Sequence, residues 1–420
     1  MLAVVLLMSV STWYLLQGLI VFEKPGPDVG FAAEEKQIPP GTQLTHVTGE
    51  DLDRSNIEIR GGVLLTDTGS TWSSGENVTV YPFQDEIMII WNDGTDSAVL
   101  YEQKALMPPI LYTIDKSDSV NVDGGRVLKG GVRSTGGDVD ISENTVVYSR
   151  VNASNNVDLY GNNTVYRGAV TQNGDISVGQ DGTLYGRVSA GGDVDTNDNV
   201  TVKGLVTARN DSGEDPNLEI GQNNEITGYV RGGGTNSDVD IGQDTVVNGN
   251  VSSSGQLDIN ENVVITSGIE AGGDLSVGQD SEISEGIEAT SNDGNVDINS
   301  NTIVNGDIDA NGSVDLDSGV TVTDGVEAGG DLSVGQDSQI SGGIKMTDDG
   351  KVDINENAVV SGDIESNGNA EIGQDTYVNG DINADGDVTL KENVTVTGAV
   401  TADSLSCESG VTINGEPCNA

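Results

Sequence analysis

From Val120 onward, apolar residues recur in short alternating triplets, apolar–x–apolar, and each triplet runs into Gly, Asn, Asp or Ser. Period-2 alternation puts every second side chain on one face and predicts strands of three to four residues. Gly and Asn tolerate positive φ and turn the corners between them. The stretch LDINEN-VVITSG-IEAGGD (257–274) contains three such strand-and-corner pieces in 18 residues. The same unit begins at Val120, Val139, Val157, Ile176, Val194, Leu218, Val239, Leu257, Leu275, Val296, Val314, Leu332, Val352, Ala370, Val388 and Leu405. Eighteen residues is the ground step, and longer steps carry short polar insertions such as RNDSGEDPN at 209–217. A fixed short period predicts a solenoid whose rungs bury their apolar edges only by stacking. Sixteen rungs at a strand spacing of about 4.8 Å give a rod of roughly 75 Å. The block GGDLSVGQDS at 272–281 returns at 329–338, three rungs on, which implies internal duplication.

The rung length, the apolar–x–apolar strands and the repeated V-x-G motif (VVNGNV at 246–251, IVNGDI at 303–308, YVNGDI at 377–382) resemble the bactofilins. That resemblance covers about 119–405. It implies a triangular right-handed β-helix that polymerises end to end. Left-handed hexapeptide helices also run near 18 residues per turn, so spacing alone leaves the hand open.

The first hundred residues follow other patterns. Residues 2–22 form a 21-residue stretch without charge, followed by Glu23-Lys24-Pro25. That length suffices for a helix to cross a hydrocarbon core of about 30 Å. A secretory signal and a buried helix are the competing readings; the stretch lacks a basic leading segment and is long for a signal. Residues 41–106 alternate in short runs, and Asn92-Asp93-Gly94 sits between two apolar runs as a hairpin turn. Four or five strands in this length suit a small β-sandwich. The apolar stretch, PGPDVGF at 25–31, LTHVTGEDLDRSNIEIRG at 44–61 with its THVTGE motif, and GENVTVYPF at 75–83 resemble the archaeal type IV pilin N-terminal domain family. This resemblance implies a membrane-held helix that later packs into a filament core, with Leu2, Val4, Leu7, Trp13, Leu16 and Leu19 as the assembly residues. The basic leader of that family does not precede Leu2, so a removed leader, a misassigned start and an anchor that is never cleaved are all compatible with the sequence.

The expected organisation is therefore mainly β: a hydrophobic N-terminal α-helix (1–24), a pilin-like sandwich (25–112), a β-helix of about 16 rungs (113–405) and a C-terminal cap (406–420). Composition changes this picture at three points. Asp and Glu number 68 against 18 Lys and Arg, a formal charge of −50. A surface so acidic excludes nucleic acid, whose phosphates need basic partners. It suits concentrated salt, where the Debye length shrinks to about 3 Å at 1 M. Second, Cys407 and Cys418 are the only cysteines and sit near the chain end, where a disulfide would clamp the last rung of an exported protein; two free thiols suit a reducing compartment. Third, sequons begin at Asn77, Asn152, Asn162, Asn199, Asn210, Asn250, Asn311 and Asn393, acceptors for glycosylation if the chain is exported.

Catalytic chemistry finds little support. His46 is the only histidine and has no evident partner, which favours a structural role. Asp381, Asn383, Asp385, Gly386 and Glu392 satisfy a calcium-loop spacing, but they fall on rung positions without flanking helices. Weak cation binding to stacked acidic faces is the more natural expectation. The GGD repeats miss the period of nine that calcium-binding β-rolls require, and GQD reads as a corner signature. β-helical lyases and acyltransferases need a basic or His-bearing cleft that this composition lacks. The expected function is a non-enzymatic structural subunit with no bound cofactor: a pilus-like filament at the cell surface, held in the membrane before assembly, its partners being itself and neighbouring filaments or surfaces. The alternative is a membrane-tethered scaffold that polymerises through its solenoid ends. A disulfide-clamped last rung favours the first reading by blocking one end.

Overall fold

The computed structural model describes residues 26–66, 69–82, 86–106, 110–209 and 215–418. The chain divides into two compact units, Met1–Pro109 and Ile110–Ala420. Among the described residues every regular element is a strand, apart from one 3-10 turn, Arg54–Asn56. This corrects the expected fold class, which included an α-helix at the N-terminus. The helix expectation rested on an uncharged stretch, 2–22, that lies outside the described residues, as do its proposed assembly positions Leu2, Val4, Leu7, Trp13, Leu16 and Leu19. No helix among the described residues is long and apolar enough to cross a membrane. The physical reason for an all-β described chain is its composition: glycine and β-branched residues, both poor helix formers, run throughout.

The described residues of the first unit form nine strands: β1 (Val29–Gln37), β2 (Pro40–Gly49), β3 (Leu52–Asp53), β4 (Ile57–Arg60), β5 (Gly62–Leu64), β6 (Thr71–Trp72), β7 (Asn77–Pro82), β8 (Glu86–Asn92) and β9 (Ser97–Lys104). They form a four-stranded sheet in the order β1-β2-β7-β5, a three-stranded sheet β4-β8-β9 and the pair β3-β6. One core unites them: Leu44, Val78 and Val80 from the first sheet, Ile87 and Ile89 from the second, Leu52 and Trp72 from the third. The β8–β9 hairpin turns where Asn92 Oδ1 accepts from Gly94 N–H and Asp93 Oδ1 accepts from Thr95 and Asp96 N–H, each at 2.9 Å. Gly94 takes φ 91°, which a side chain would disfavour.

The second unit is a solenoid of three parallel sheets. Face one runs from Tyr112–Lys116 to Val400–Thr401, face two from Val120–Val122 to Ser404–Cys407, and face three from Val127–Leu128 to Thr412–Ile413, 16 rung strands each. Pairing is in register: Val139 opposes Val157, and Val157 opposes Ile176. Each inward residue therefore stacks on its equivalent one rung away. The result is a single continuous core from Val120 to Val411 made of Val, Ile, Leu, Ala and one Met, with no Phe, Tyr or Trp. Small aliphatics fit because a triangular interior tapers toward its corners.

Three different chemistries build the three corners. Between faces two and three one residue per rung stands in the left-handed region: Asn144, Asn162, Asp181, Asn199, Asn223, Asp244, Asn262, Asp280, Asn301, Asp337, Asn357, Asp375 and Asn393 at φ 56–61°, with Gly125, Gly319 and Gly410 completing the column. Only Gly, Asn and Asp visit that region cheaply, which is why GQD and its variants recur. Between faces one and two, a side chain of one rung caps the next at many steps: Asp138 Oδ1 accepts from Asn156 N–H at 3.2 Å, Asn156 Oδ1 from Asp175 N–H at 3.0 Å, Asp175 Oδ1 from Asp193 N–H at 2.9 Å. Asp274 of the GGD block does the same for Asn295 N–H at 2.9 Å. Between faces three and one the V-x-G motif is a clearance requirement, since a Cβ on Gly380 would lie 2.5 Å from the Gly362 carbonyl oxygen.

Candidate functional site

The surfaces left to act are the two ends of the stack and its outward columns. At the C-terminal end, face three continues into Glu416–Pro417, which folds back antiparallel on Thr412–Ile413. Cys407, on the last strand of face two, is disulfide-bonded to Cys418, and Cys418 N–H donates to Val411 O at 3.0 Å. The hairpin thus covers one of three sheet edges. Among the described residues, Val400–Thr401 and Ser404–Cys407 each pair with one preceding strand and have no partner on their outer edge. Their inward residues Val400, Leu405 and Cys407 are only partly buried, whereas Ile382, Val388 and Leu390 one rung earlier are fully buried. At the other end, Tyr112–Lys116, Val120–Val122 and Val127–Leu128 open the three sheets, with no strand paired before them among the described residues. The inward residue Leu128 is only partly buried there, whereas its partner Val147 one rung on is fully buried.

Face two carries a column of outward carboxylates. In-register pairing sets Asp140 opposite Asp158, Asp195 opposite Glu219, Glu219 opposite Asp240, Asp240 opposite Asp258, and Asp297 opposite Asp315. Burial, then the like charge of the neighbouring rung, raises the pKa of Asp158, Asp195, Asp240 and Asp297. No group of three or more His, Cys, Asp or Glu among the described residues is arranged to hold a metal ion. The calcium-loop residues are dispersed over a rung. Asn383 points outward on face one between Glu365 and Thr401, and Asp381 Oδ1 accepts from Ala399 N–H at 2.7 Å as a corner cap.

His46 is fully buried in the first unit. Its Nδ1 lies 3.0 Å from Trp72 O and its Nε2 3.0 Å from Thr48 O, and Phe31 packs between it and Trp72 at centroid distances of 5.3 and 4.9 Å. It fastens β2 to β6. Of the sequons, Asn77, Asn162, Asn199, Asn250, Asn311 and Asn393 are exposed and Asn152 is half-buried, while Asn210 lies outside the described residues. Asn162, Asn199 and Asn393 double as left-handed corner residues.

One feature escaped the sequence reading. On the corner from face three to face one, Tyr148, Tyr166 and Tyr185 stack ring on ring at 5.1 and 4.9 Å, with planes 20° and 9° apart. Burial, then the neighbouring tyrosines, pushes Tyr166 up to about 12. Arg150, Arg167 and Arg187 follow these tyrosines along the chain. Their spacing of 17 to 20 residues was the available signal.

Residues 320–417 match the family described as bactofilin, polymer-forming cytoskeletal. That is about a quarter of the chain and corresponds to the last rungs together with the terminal hairpin. The bactofilin part of the sequence resemblance is supported there, and nothing supports the pilin part. No curated protein and no solved structure matches the chain. The rungs before residue 320 share all three sheets, in register, with those the family model matches.

Proposed function

We propose that this chain is a structural, non-enzymatic subunit that self-associates through its solenoid, growing by end-on docking of rungs. The observation that carries this reading is the pair of open edges at the C-terminal end, Val400–Thr401 and Ser404–Cys407, with half-covered apolar residues beneath them. An unpaired strand edge over an apolar floor is a template for another strand, and the polymer-forming family model matches this end of the chain. The terminal hairpin argues for selectivity rather than blockage, since it closes the face-three edge alone. The filament reading that relies on an N-terminal helix has no comparable support.

Negative-stain microscopy of the purified full chain in concentrated salt tests the proposal. Filaments or end-to-end oligomers are expected, and the pair Val400→Lys with Leu405→Lys should reduce them to single rods while the melting transition is kept. Single rods from the unaltered chain at every concentration and salt would sink the reading.

A further inference from the structure

Charge is distributed unevenly along the solenoid. Residues 110–231 carry ten Lys and Arg against 17 Asp and Glu, whereas residues 232–420 carry three against 36. The contrast is sharpest on one edge, the corner from face three to face one. The register Val151–Ala169–Val188–Val206–Val230 continues through Val251, Ile269, Ile287 and Ile308, so the residues preceding these form one column. It reads Arg150, Gly168, Arg187, Leu205, Tyr229, Asn250, Gly268, Gly286 and Asp307. Near its start, Tyr148 and Tyr185 of the tyrosine stack precede Arg150 and Arg187 by two residues in the chain. Arg150 Nε donates only to the Arg167 carbonyl, at 3.4 Å, and among the described residues neither Arg150 nor Arg187 forms an ion pair. Partial burial and the like charges of Arg150 and Arg209 lower the pKa of Arg187, a sign that basic groups crowd together here in an otherwise acidic molecule. Further along the same edge the column narrows to Gly268 and Gly286. A groove of 460 Å³ opens there, lined by Glu270, Glu285, Glu288, Asp307 and Asp309. Glu270, Glu288 and Asp309 are in register, one per rung.

We propose that the Tyr/Arg edge is a lateral docking site for the carboxylate groove of a second copy of this chain, with the two solenoids antiparallel. Three observations select that occupant. The edge is basic and the groove acidic. The rung spacing is shared, with Arg150 and Arg187 two rungs apart and Glu270, Glu288 and Asp309 on successive rungs, so the guanidinium and carboxylate columns are commensurate. Both lie on the same corner of the prism, so a two-fold antiparallel pair brings each edge onto the partner's groove and makes both contacts at once, the self-complementary arrangement of an isologous interface. The planar, weakly hydrated guanidinium of arginine suits partly desolvated carboxylate pairing. The contact is side by side and does not depend on end-on growth.

Small-angle scattering of the full chain separates the two, because the cross-sectional radius reports lateral pairing and the length reports end stacking. A paired cross-section is expected. The double variant Arg150→Glu with Arg187→Glu should weaken pairing at least tenfold with an unchanged melting midpoint, and Glu270→Lys with Glu288→Lys should do the same from the other side. Mixing the two variants should restore pairing, since each altered edge then meets an oppositely altered groove. A single-rod cross-section in the unaltered chain, unaltered pairing in both variants, or failure of the mixture to recover would each overturn the proposal. So would retention of a soluble acidic polysaccharide by the Tyr/Arg edge with no change in cross-section. Lateral pairs without filaments in the unaltered chain would count against end-on docking alone.

Discussion

At the scale of single residues, the solenoid is specified by its corners as much as by its core. An inward Val could be replaced by Ile or Leu, as the rungs themselves do, but the left-handed column admits only Gly, Asn and Asp over 16 rungs. A β-branched residue there costs roughly 1–2 kcal/mol because its Cβ meets the following carbonyl. Asn262→Val should therefore lower stability in chemical denaturation by about that amount, while Asn262→Gly should change it by only a few tenths of a kcal/mol. Equal losses for both would show that the amide, not the backbone conformation, matters at this corner. The carboxylate column of face two behaves differently. Asp158, Asp195, Asp240 and Asp297 have folded-state pKa values above the unfolded ones, chiefly through burial. Their charged forms oppose folding, so stability rises as pH falls from neutral toward the unfolded value of about 3.9. Asp53, Asp93, Asp215 and Asp375 have the opposite shift, through hydrogen bonds; their contribution is present above the unfolded value and disappears as pH falls through the lower folded one. A stability maximum on the acidic side of neutral follows. Asp240→Asn should raise the unfolding free energy at pH 7 by no more than about 1 kcal/mol, given the partial exposure of like-charged opposed pairs, and should flatten the rise toward low pH. A pH profile with its maximum above neutral would contradict this.

At the scale of elements, each rung is held by its two neighbours, and the terminal rung by only one. Stability in such a stack is close to a sum of rung and interface contributions, so the last rung should fray first. The Cys407–Cys418 disulfide ties the hairpin Glu416–Pro417 to that rung. Closing a loop of this size is worth about 3 kcal/mol in the chain-entropy account. Reduction, or Cys418→Ser, should therefore accelerate amide exchange in 400–418 by up to about a hundredfold and leave the rungs before 380 unchanged. Loss of protection along the whole solenoid would instead mean that unfolding starts from the capped end. The same rung logic explains what could be read in the sequence. The sixteen apolar starts from Val120 to Leu405 are each the first inward residue of a face-two strand, because a strict period leaves no freedom in register. The corner role of GQD was legible because left-handed backbone restricts residue type. The Tyr/Arg edge was not, because outward positions obey no core pattern: Tyr148, Tyr166 and Tyr185 look like isolated surface residues until stacking brings them within about 5 Å of one another.

At the scale of the molecule, charge is the dominant liability. A formal charge of −50 with an in-register architecture forces carboxylates of successive rungs to face one another at the strand spacing, and no side-chain rotation along a column increases that repeat. Few cations relieve it: in 232–420 the ion pairs are Lys345 with Glu327 at 2.7 Å, Lys391 with Glu371 at 2.9 Å and with Glu408 at 3.8 Å, and Lys351 with Asp353 at 3.6 Å, among the described residues. These are exposed pairs, each worth at most about 1 kcal/mol. Screening is the larger effect. The Debye length falls from about 10 Å at 0.1 M to about 3 Å at 1 M, below the separation of neighbouring rungs. The melting midpoint should accordingly climb by several degrees between 0.1 and 2 M sodium chloride, with most of the gain below 1 M, where the screening length crosses the rung spacing. The gain should concentrate in 232–420, the poorly compensated part, so amide protection there should respond to salt more than in 110–209. Sodium and potassium chloride should act alike, because screening depends on ionic strength and not on which cation supplies it. A midpoint indifferent to salt would mean that the carboxylate columns are largely protonated or otherwise neutralised at pH 7. A response confined to one cation would instead point to discrete binding on the acidic faces.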